Sequence, residues 1–271
     1  MTSRRKENPL LVFVEDVGRA TVRGIAELGY VAGLLGESLY WLVLGPRRRQ
    51  PVRLAAVFGE MMNIGIQAIP IVAVLNLAIG IMLAIQGIAT LKLFGAESQV
   101  VVGIALSVTR EFSPLLVSIL VAGRSGSAIT ARIGTMLESQ EIDALRVIGI
   151  SPVRYLAAPV LLAMLIIVPT LTILGDFMGM LGGAIYSGVE LNISLWAYAN
   201  RSIEVLAVDD IRQGLVKSTV FAVIIAMVGL SNGFQVRGGA AGVGRATTRS
   251  VVMSISYIVL ADMLFTYFLN R

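Results

Sequence analysis

The sequence contains no cysteine and no histidine. The absence of cysteine excludes disulfides and thiol nucleophiles. The absence of both residues excludes the usual zinc and iron–sulfur ligand sets and histidine-based acid–base catalysis. Charged residues are also scarce, because they make up 14% of the chain, whereas soluble domains carry about 25%. These absences argue against a soluble enzyme.

Apolar residues are abundant instead, at 56% of the 271 residues, with a mean hydropathy of +0.83. A bilayer accommodates such a composition, and a helix of about 20 apolar residues crosses its hydrocarbon core. Five runs carry little or no charge. They predict an all-α integral membrane protein with about five transmembrane helices, at residues 61–91, 98–123, 155–189, 218–236 and 250–271.

Three of these runs have internal features. Pro70 in the first run and Pro169 in the third predict kinks. The third run is too long for one span, so we expect its end in the interface or in a short helix outside the membrane. In the same run Gly175, Gly179 and Gly183 form a ridge that permits close helix contact, with a dimer interface as the alternative use.

Residues 1–58 form a separate basic segment, and we take residues 59–271 as the transmembrane domain. The apolar stretch from Ile25 to Leu44 is broken by Glu27 and Glu37 and contains Tyr30, Tyr40 and Trp41. This mixture predicts an amphipathic helix lying in the membrane interface. A sixth, poorly apolar span is the alternative.

Lysine and arginine are unevenly distributed between the two sides. Most of them lie in residues 1–58, 124–154 and 237–249, whereas the other connections carry several acidic residues. The positive-inside rule therefore predicts a cytoplasmic N-terminus and an external C-terminus.

The connection at 124–154 predicts a helix from Ile133 to Ile148, ended by Gly149 and Pro152. It is amphipathic, and its charged residues include Glu138, Glu141, Asp143 and Arg146. Its apolar face could lie on the protein's own bundle or on the lipid surface, or it could fit a cleft in a cytoplasmic protein, and the residues alone favour neither reading.

Isolated charges inside the apolar runs are costly and mark either ion pairs or functional positions. They are Arg110, Glu111, Asp176 and Asp262. Arg110 could pair with Asp262 or Glu111; alternatively, Arg110 and Glu111 contact a lipid headgroup or gate its cavity. At the outer mouth of the fourth span, Lys217 with Asp209 and Asp210 could form an ion pair or contact a periplasmic partner.

The glycine-rich stretch GGAAGVGRATT from Gly238 is not a nucleotide site. Arg245 follows Gly244 where a P-loop needs lysine, Ala246 stands where serine or threonine would hold Mg²⁺, and no strand precedes the stretch. We interpret it as a flexible turn between the fourth and fifth spans.

Three strings resemble the MlaE-type family of ABC transporter permeases: REFSPLLVSILVAGRSGSAITARIGTM from Arg110, ESQEIDALRVIGISPVRYLAAP from Glu138, and GVGRATTRSVV at 242–252. The resemblance covers residues 55–271. It implies a non-catalytic permease that moves phospholipids between the inner and outer membranes of a Gram-negative envelope.

The resemblance also implies partners. It implies a homodimer in the inner membrane, a cytoplasmic ATPase that binds ATP and Mg²⁺, a periplasmic hexamer of MCE-domain proteins, and in some systems a STAS-domain protein. No cofactor in this chain and no nucleic acid are expected. Glu138 to Arg146 would be the coupling helix between spans 2 and 3. Bound phospholipid would lie against a first-span wall that includes Leu75, Leu77, Ile79, Leu83 and Ile85.

Two other function classes are weighed against the permease. In an ion-coupled secondary transporter the intramembrane charges would couple ions, but no inverted repeat is evident among five spans. In a membrane scaffold for a cytoplasmic protein there would be no cargo.

Overall fold

The computed structural model describes residues 9–45 and 50–269; the basic residues at 1–8 and 46–49 lie outside this part. Within it the chain is helical and contains no strand. The helices are α1 Pro9–Leu44, α2 Leu54–Gly65, α3 Ile69–Lys92, α4 Val100–Ser107, α5 Ser113–Val121, α6 Ser127–Glu138, α7 Glu141–Val147, α8 Ala158–Leu191, α9 Leu195–Val205, α10 Val208–Phe234 and α11 Gly239–Leu269.

Short 3₁₀ and π segments join several of these helices into longer rods. The 3₁₀ segments are Ile66–Ala68 and Glu97–Gln99, and the π segments are Val108–Phe112, Ala122–Gly126 and Val153–Ala157. Five rods in the described part are long and apolar enough to cross a membrane: Leu54–Lys92, Glu97–Glu138, Val153–Leu191, Val208–Phe234 and Gly239–Phe268. The five predicted spans are therefore confirmed. Each rod extends beyond the apolar run that predicted it, except at the C-terminal end of the fourth and fifth.

The two prolines have different effects. The kink predicted at Pro70 lies next to the 3₁₀ segment Ile66–Ala68, after which Pro70 sits in the first turn of α3, where proline costs no backbone hydrogen bond. Pro169 lies inside α8 without ending it. The third apolar run thus continues as one 34-residue helix to Leu191, and the separate helix α9 follows it.

Two predicted boundaries were wrong. The helix predicted from Ile133 to Ile148 is broken, because Gln140 adopts a left-handed conformation with φ 62°. Its first half belongs to α6 at the end of span 2, and its second half is the short helix α7. The glycine-rich stretch is not an extended turn either, because α11 begins at Gly239.

Spans 3 and 4 form the centre of the bundle. In the apolar 18-residue segment of each span, 61% and 67% of the residues are buried, against 28% in span 1 and 11% in span 5. Their largest buried side chains include Leu161, Met164, Phe221, Ile225 and Leu230. Spans 1 and 5 therefore present most of their apolar side chains outward.

Close packing of span 1 on span 3 depends on glycine. A Cβ added to Gly80 would lie 1.9 Å from the Gly179 carbonyl oxygen, and one added to Gly182 would lie 2.1 Å from that of Leu77. Small residues in facing positions let membrane helices approach in this way. Within the chain, the glycine ridge of α8 therefore serves packing.

The N-terminal helix α1 is one 36-residue helix and begins earlier than the predicted Ile25. It is not among the five candidate spans. The two acids that interrupt its apolar stretch have partners. Glu27 pairs with Arg249 of span 5 at 2.5 Å, and Glu37 accepts a hydrogen bond from Ser151 at 3.0 Å. Its position in the membrane interface stays a prediction.

Candidate functional site

A buried ion cluster joins spans 2, 4 and 5. Lys217 of α10 is 0% exposed, and its Nζ lies 2.5 Å from Glu111 Oε2 and 3.0 Å from Asp262 Oδ1. Lys217 also donates a hydrogen bond to Thr266 Oγ1 at 3.1 Å. The hydroxyl of Thr266 in turn lies 3.1 Å from Glu111 Oε2. One ammonium group thus faces two carboxylates and a hydroxyl.

The charge balance of this cluster is uneven. If all three groups are ionised, one negative charge has no cation of its own within the cluster. Buried charge in low dielectric attracts a counter-charge strongly. The arrangement can therefore hold three spans together, and it can also receive a proton or a cationic group.

A second ion pair lies next to the cluster. Arg110 Nε donates to Asp210 Oδ1 at 2.7 Å, and Arg110 Nη2 lies 2.5 Å from the same oxygen. The other oxygen of Asp210 accepts the Ala207 backbone N–H at 2.9 Å, which caps the start of α10. Asp210 therefore fixes both the helix start and the Arg110 side chain.

Arg110 and Glu111 occupy the π segment Val108–Phe112 of span 2. A π segment places one extra residue in a helical turn and occurs frequently at functional sites. Gly214 of α10 packs against it, since a Cβ there would lie 2.4 Å from the Thr109 carbonyl oxygen. This approach brings the first half of α10 against both charged side chains.

The pairing differs from what the sequence suggested. Arg110 pairs with Asp210, not with Asp262 or Glu111, and Asp262 pairs with Lys217. Of the two roles predicted for Lys217, an ion pair is present, but with Glu111 and Asp262, and the side chain has no exposed surface with which to contact a periplasmic partner. Asp209 is 79% exposed and pairs with Arg212 at 3.0 Å, so its predicted partner contact stays a prediction.

Thr266 was not predicted as a site residue, and Asp210 was predicted only together with Asp209 and Lys217. Each carries a signal. Thr266 follows Asp262 by four residues, which places both on one helix face, and Asp210 stands at the third position of a helix, where an acid can cap the start. The first turn of α10 and the last turns of α11 therefore carried signals beyond their charges.

Asp176 of α8 stands apart from these ion pairs. It is 9% exposed and has no ion-pair partner among the described residues. Ser113 and Asn76 lie near it, because a Cβ on neighbouring Gly175 would be 2.5 Å from Ser113 Oγ and 3.2 Å from the Asn76 amide. It belongs to a polar contact of spans 1, 2 and 3.

The short helix α7 is anchored at one point and is exposed elsewhere. Ile142 is fully buried, whereas Val147 and Ile148 are 86% and 67% exposed. The predicted coupling residues Glu138, Glu141, Asp143 and Arg146 are all exposed, and Arg146 pairs with Asp143 at 2.9 Å. The connection thus displays charges around an exposed apolar tip.

The predicted lipid wall of span 1 lies on the outside of the single chain. The buried edge of α3 is Val72, Asn76, Gly80, Ala84 and Ile88. Leu75 is 39% exposed, and Leu77 and Leu83 are partly buried. Within one chain these leucines do not line an enclosed cavity, so their role in a cavity between two copies stays a prediction.

Comparison with known proteins gives a consistent result. A family model described as Permease MlaE matches residues 57–268. A probable ABC transporter permease protein of Rickettsia conorii is 36% identical over 95% of this chain and 97% of its own length. The intermembrane phospholipid transport system permease protein MlaE of Haemophilus influenzae is 31% identical over 94% of this chain and 96% of its own. The chloroplastic protein trigalactosyldiacylglycerol 1 of Arabidopsis thaliana is 37% identical over 70% of this chain and 54% of its own.

Proposed function

This chain belongs to the MlaE permease family and is the multi-pass membrane subunit of an ABC transporter, and we propose that its cargo is phospholipid moved between the inner and outer membranes of a Gram-negative envelope. The observation that supports phospholipid as the cargo is the match to the Haemophilus phospholipid permease along nearly the whole of both chains. The buried ion cluster, the π segment and α7 all lie within residues 57–268, the region that the family model matches.

The ATPase that an ABC permease requires would dock on the connection between spans 2 and 3, which includes the end of α6 and the whole of α7. This connection has what a docking element needs: exposed apolar residues at Val147 and Ile148, surrounding acids, and a buried anchor at Ile142. Its charged side chains are exposed, so they are available for complementary charges on a partner. ATP and Mg²⁺ would be bound by that partner.

A second copy of the chain would cover the exposed spans. Spans 1 and 5 are the least buried of the five, and Leu75, Leu77 and Leu83 lie on span 1. Two such faces opposite each other would enclose an apolar cavity suited to acyl chains. The ion pairs of Arg110 and Glu111 would lie in its outer part, where a headgroup can be contacted.

The orientation we propose is a cytoplasmic N-terminus and a periplasmic C-terminus in the inner membrane. The basic connections at 124–154 and 237–249 support it. In this orientation α9 and the start of α10, with Asp209, would face the periplasmic MCE-domain ring. A STAS-domain protein would act through the ATPase.

The test is reconstitution of the chain with its ATPase and MCE partner in vesicles. ATP should drive transfer of fluorescent phospholipid to an acceptor. Transfer driven by an ion gradient with no ATPase present would overturn the proposal. Glu138→Lys combined with Asp143→Lys should abolish ATPase association, while Glu190→Lys with Asp209→Lys, the same charge reversal at exposed positions of the other end, should leave it intact.

A further inference from the structure

A deep groove separates α1 from spans 4 and 5. Its volume is about 660 Å³, within the range of about 300–1,000 Å³ typical of small-molecule sites. None of the predicted cavity or headgroup residues lines it. Its walls come from the middle of α1, the second half of α10 and the first half of α11.

The walls are mostly apolar. Met227 and Val228 of α10 lie at the bottom and are almost fully buried, whereas Leu28 of α1 is 66% exposed at the rim. Tyr257 of α11 is 41% exposed at the same groove. A long apolar ligand could therefore lie against the groove with part of its length in the bilayer.

One end of the groove is strongly basic. Arg237, Arg245 and Arg249 all line it. Arg249 is neutralised by Glu27 of α1 at 2.5 Å. No acidic side chain in the described part of the chain lies within 4 Å of the guanidinium of Arg237 or Arg245. The Arg245 guanidinium lies over the turn that carries Arg237, because a Cβ on Gly238 would be 3.3 Å from its Nη2. Two positive charges thus have no acidic partner within the described residues.

The basic end lies at the α7 side of the bundle. Consecutive spans alternate in direction, so the turn between spans 4 and 5 is on the same side as the connection between spans 2 and 3. Direct packing agrees, since a Cβ on Gly134 of α6 would meet Val236 and Val243 at 2.7 Å and 3.6 Å. A basic group beside an apolar wall, at the level of a helix end, matches the headgroup and the acyl chains of a membrane lipid.

We propose that this groove binds one anionic phospholipid, with its phosphate on Arg237 and Arg245 and an acyl chain between α1 and spans 4 and 5. Arginine suits phosphate because its planar fork donates two parallel hydrogen bonds. The lipid fills the gap beside α1 and fastens this helix to the bundle. Its assignment to the cytoplasmic leaflet rests on the orientation proposed above, whereas the groove and its charge do not.

Quenching by brominated lipid tests the site in the full-length chain alone. In a background with Trp41→Phe and Trp196→Phe, which removes both tryptophans, Tyr257→Trp places a reporter in the groove. The protein is reconstituted in phosphatidylcholine vesicles with increasing brominated phosphatidylglycerol or brominated phosphatidylcholine. We expect half-maximal quenching at a roughly tenfold lower fraction of the anionic lipid, and loss of that preference in Arg237→Gln with Arg245→Gln.

Two controls make the result specific. Phe177→Trp in the same background reports ordinary bilayer lipid, since Phe177 is 62% exposed on α8, and it should show no preference. Arg201→Gln with Arg212→Gln removes the same charge from the other end and should leave the Tyr257→Trp preference intact. Equal quenching by both lipids, or a preference that survives loss of Arg237 and Arg245, would overturn the inference. Neither outcome would bear on ATP-driven transport, which this preparation lacks.

Discussion

Lys217 is a fully buried cation whose neighbours are Glu111, Asp262 and Thr266. Removing one member of a buried ion pair leaves the remaining charge uncompensated and costs roughly 3–5 kcal/mol. We therefore expect Lys217→Met to lower the free energy of unfolding by about that amount, because two carboxylates then face each other without a cation. Thermal unfolding of the purified chain in detergent measures the loss.

Lys92→Met is the matched control. Lys92 is 65% exposed and lies 3.8 Å from Glu190, and such exposed pairs contribute about 0–1 kcal/mol. Combining Lys217→Met with Glu111→Gln and Asp262→Asn should recover part of the loss, because no unpaired charge remains. If Lys217→Met unfolds at the same temperature as Lys92→Met, the cluster does not support the fold.

Tyr198 of α9 allows a test by pH. It is 3% exposed, and its hydroxyl has no hydrogen-bond partner among the described residues. Burial raises the pKa of its phenol above the ordinary value of 10.0. The fold favours the protonated form, so the stability it contributes is present below pH 10.0 and is lost as the pH rises above it.

Tyr198→Phe should therefore change stability by less than about 1 kcal/mol at neutral pH and should make the protein more stable than the natural chain above pH 10.0. Urea unfolding at neutral and alkaline pH gives both values. Tyr257→Phe, at a 41% exposed site, is the comparison. Equal alkaline loss in the natural chain and Tyr198→Phe would contradict the assignment.

The charged side chains inside the apolar runs were visible in the sequence, but their partners were not. Arg110, Glu111 and Asp262 stand out because each interrupts an apolar run. Which carboxylate meets which cation depends on the rotation of each helix about its axis. The π segment at Val108–Phe112 changes that rotation within span 2, and nothing in the local composition signals it. Lys217 was predicted at the outer mouth of span 4 because an uncharged run follows it. In the structure α10 begins earlier, at Val208, so Lys217 lies inside the helix.

Substitution by alanine should have opposite effects on stability at a glycine in the contact of α3 with α8 and at an exposed glycine elsewhere. At Gly182 a Cβ would lie 2.1 Å from the Leu77 carbonyl oxygen, which belongs to rigid backbone, so Gly182→Ala must separate the helices. Gly103 of α4 is exposed, and a Cβ there meets nothing within 4 Å. Gly103→Ala should stabilise the chain by up to about 1 kcal/mol, because alanine favours helix over glycine.

We expect Gly182→Ala to lower the unfolding temperature and Gly103→Ala to raise it slightly, both measured in the same detergent. Overpacking of a tight contact costs roughly 1–3 kcal/mol, so the two variants should differ clearly. A Gly182→Ala protein as stable as the natural chain would show that spans 1 and 3 are not in close contact.

Helix breaks were the least predictable elements. Gly149 has a φ of 79° and lies just past the end of α7, as its residue type predicted. The break at Gln140 has no such signal, because neither glycine nor proline occurs between Leu137 and Glu141 and left-handed glutamine is uncommon. The left-handed turn at Gln140 leads directly into the contact of Ile142 with the bundle, where Ile142 is fully buried. A tertiary contact therefore lies where the predicted coupling helix begins.

The number of spans was predictable because freedom from charge is a property of each run by itself. Their arrangement was not, since all five runs are apolar and the sequence does not show which face meets protein and which meets lipid. Spans 4 and 5 differ greatly in burial, since 67% and 11% of the residues in their apolar segments are buried. Their amino-acid compositions do not show this difference. Glycine positions were the best guide to helix contacts in the sequence, because Gly179 of α8 lies where α3 packs against it.

Alternation of the five spans places α7 and α9 at opposite ends of the bundle, and this fixes a test of orientation. The natural chain has no cysteine, so a cysteine at Val147 of α7 or at Ile203 of α9 is the only thiol, and both positions are exposed, at 86% and 72%. If α7 docks an ATPase, it must face the compartment that holds ATP.

In intact spheroplasts a membrane-impermeant maleimide should label Ile203→Cys at once, and Val147→Cys only after the membrane is opened. Labelling of both proteins in detergent is the control for reactivity. The reverse pattern would invert the orientation and remove α7 from the reach of an ATPase, and labelling of both from outside would contradict the five-span topology itself.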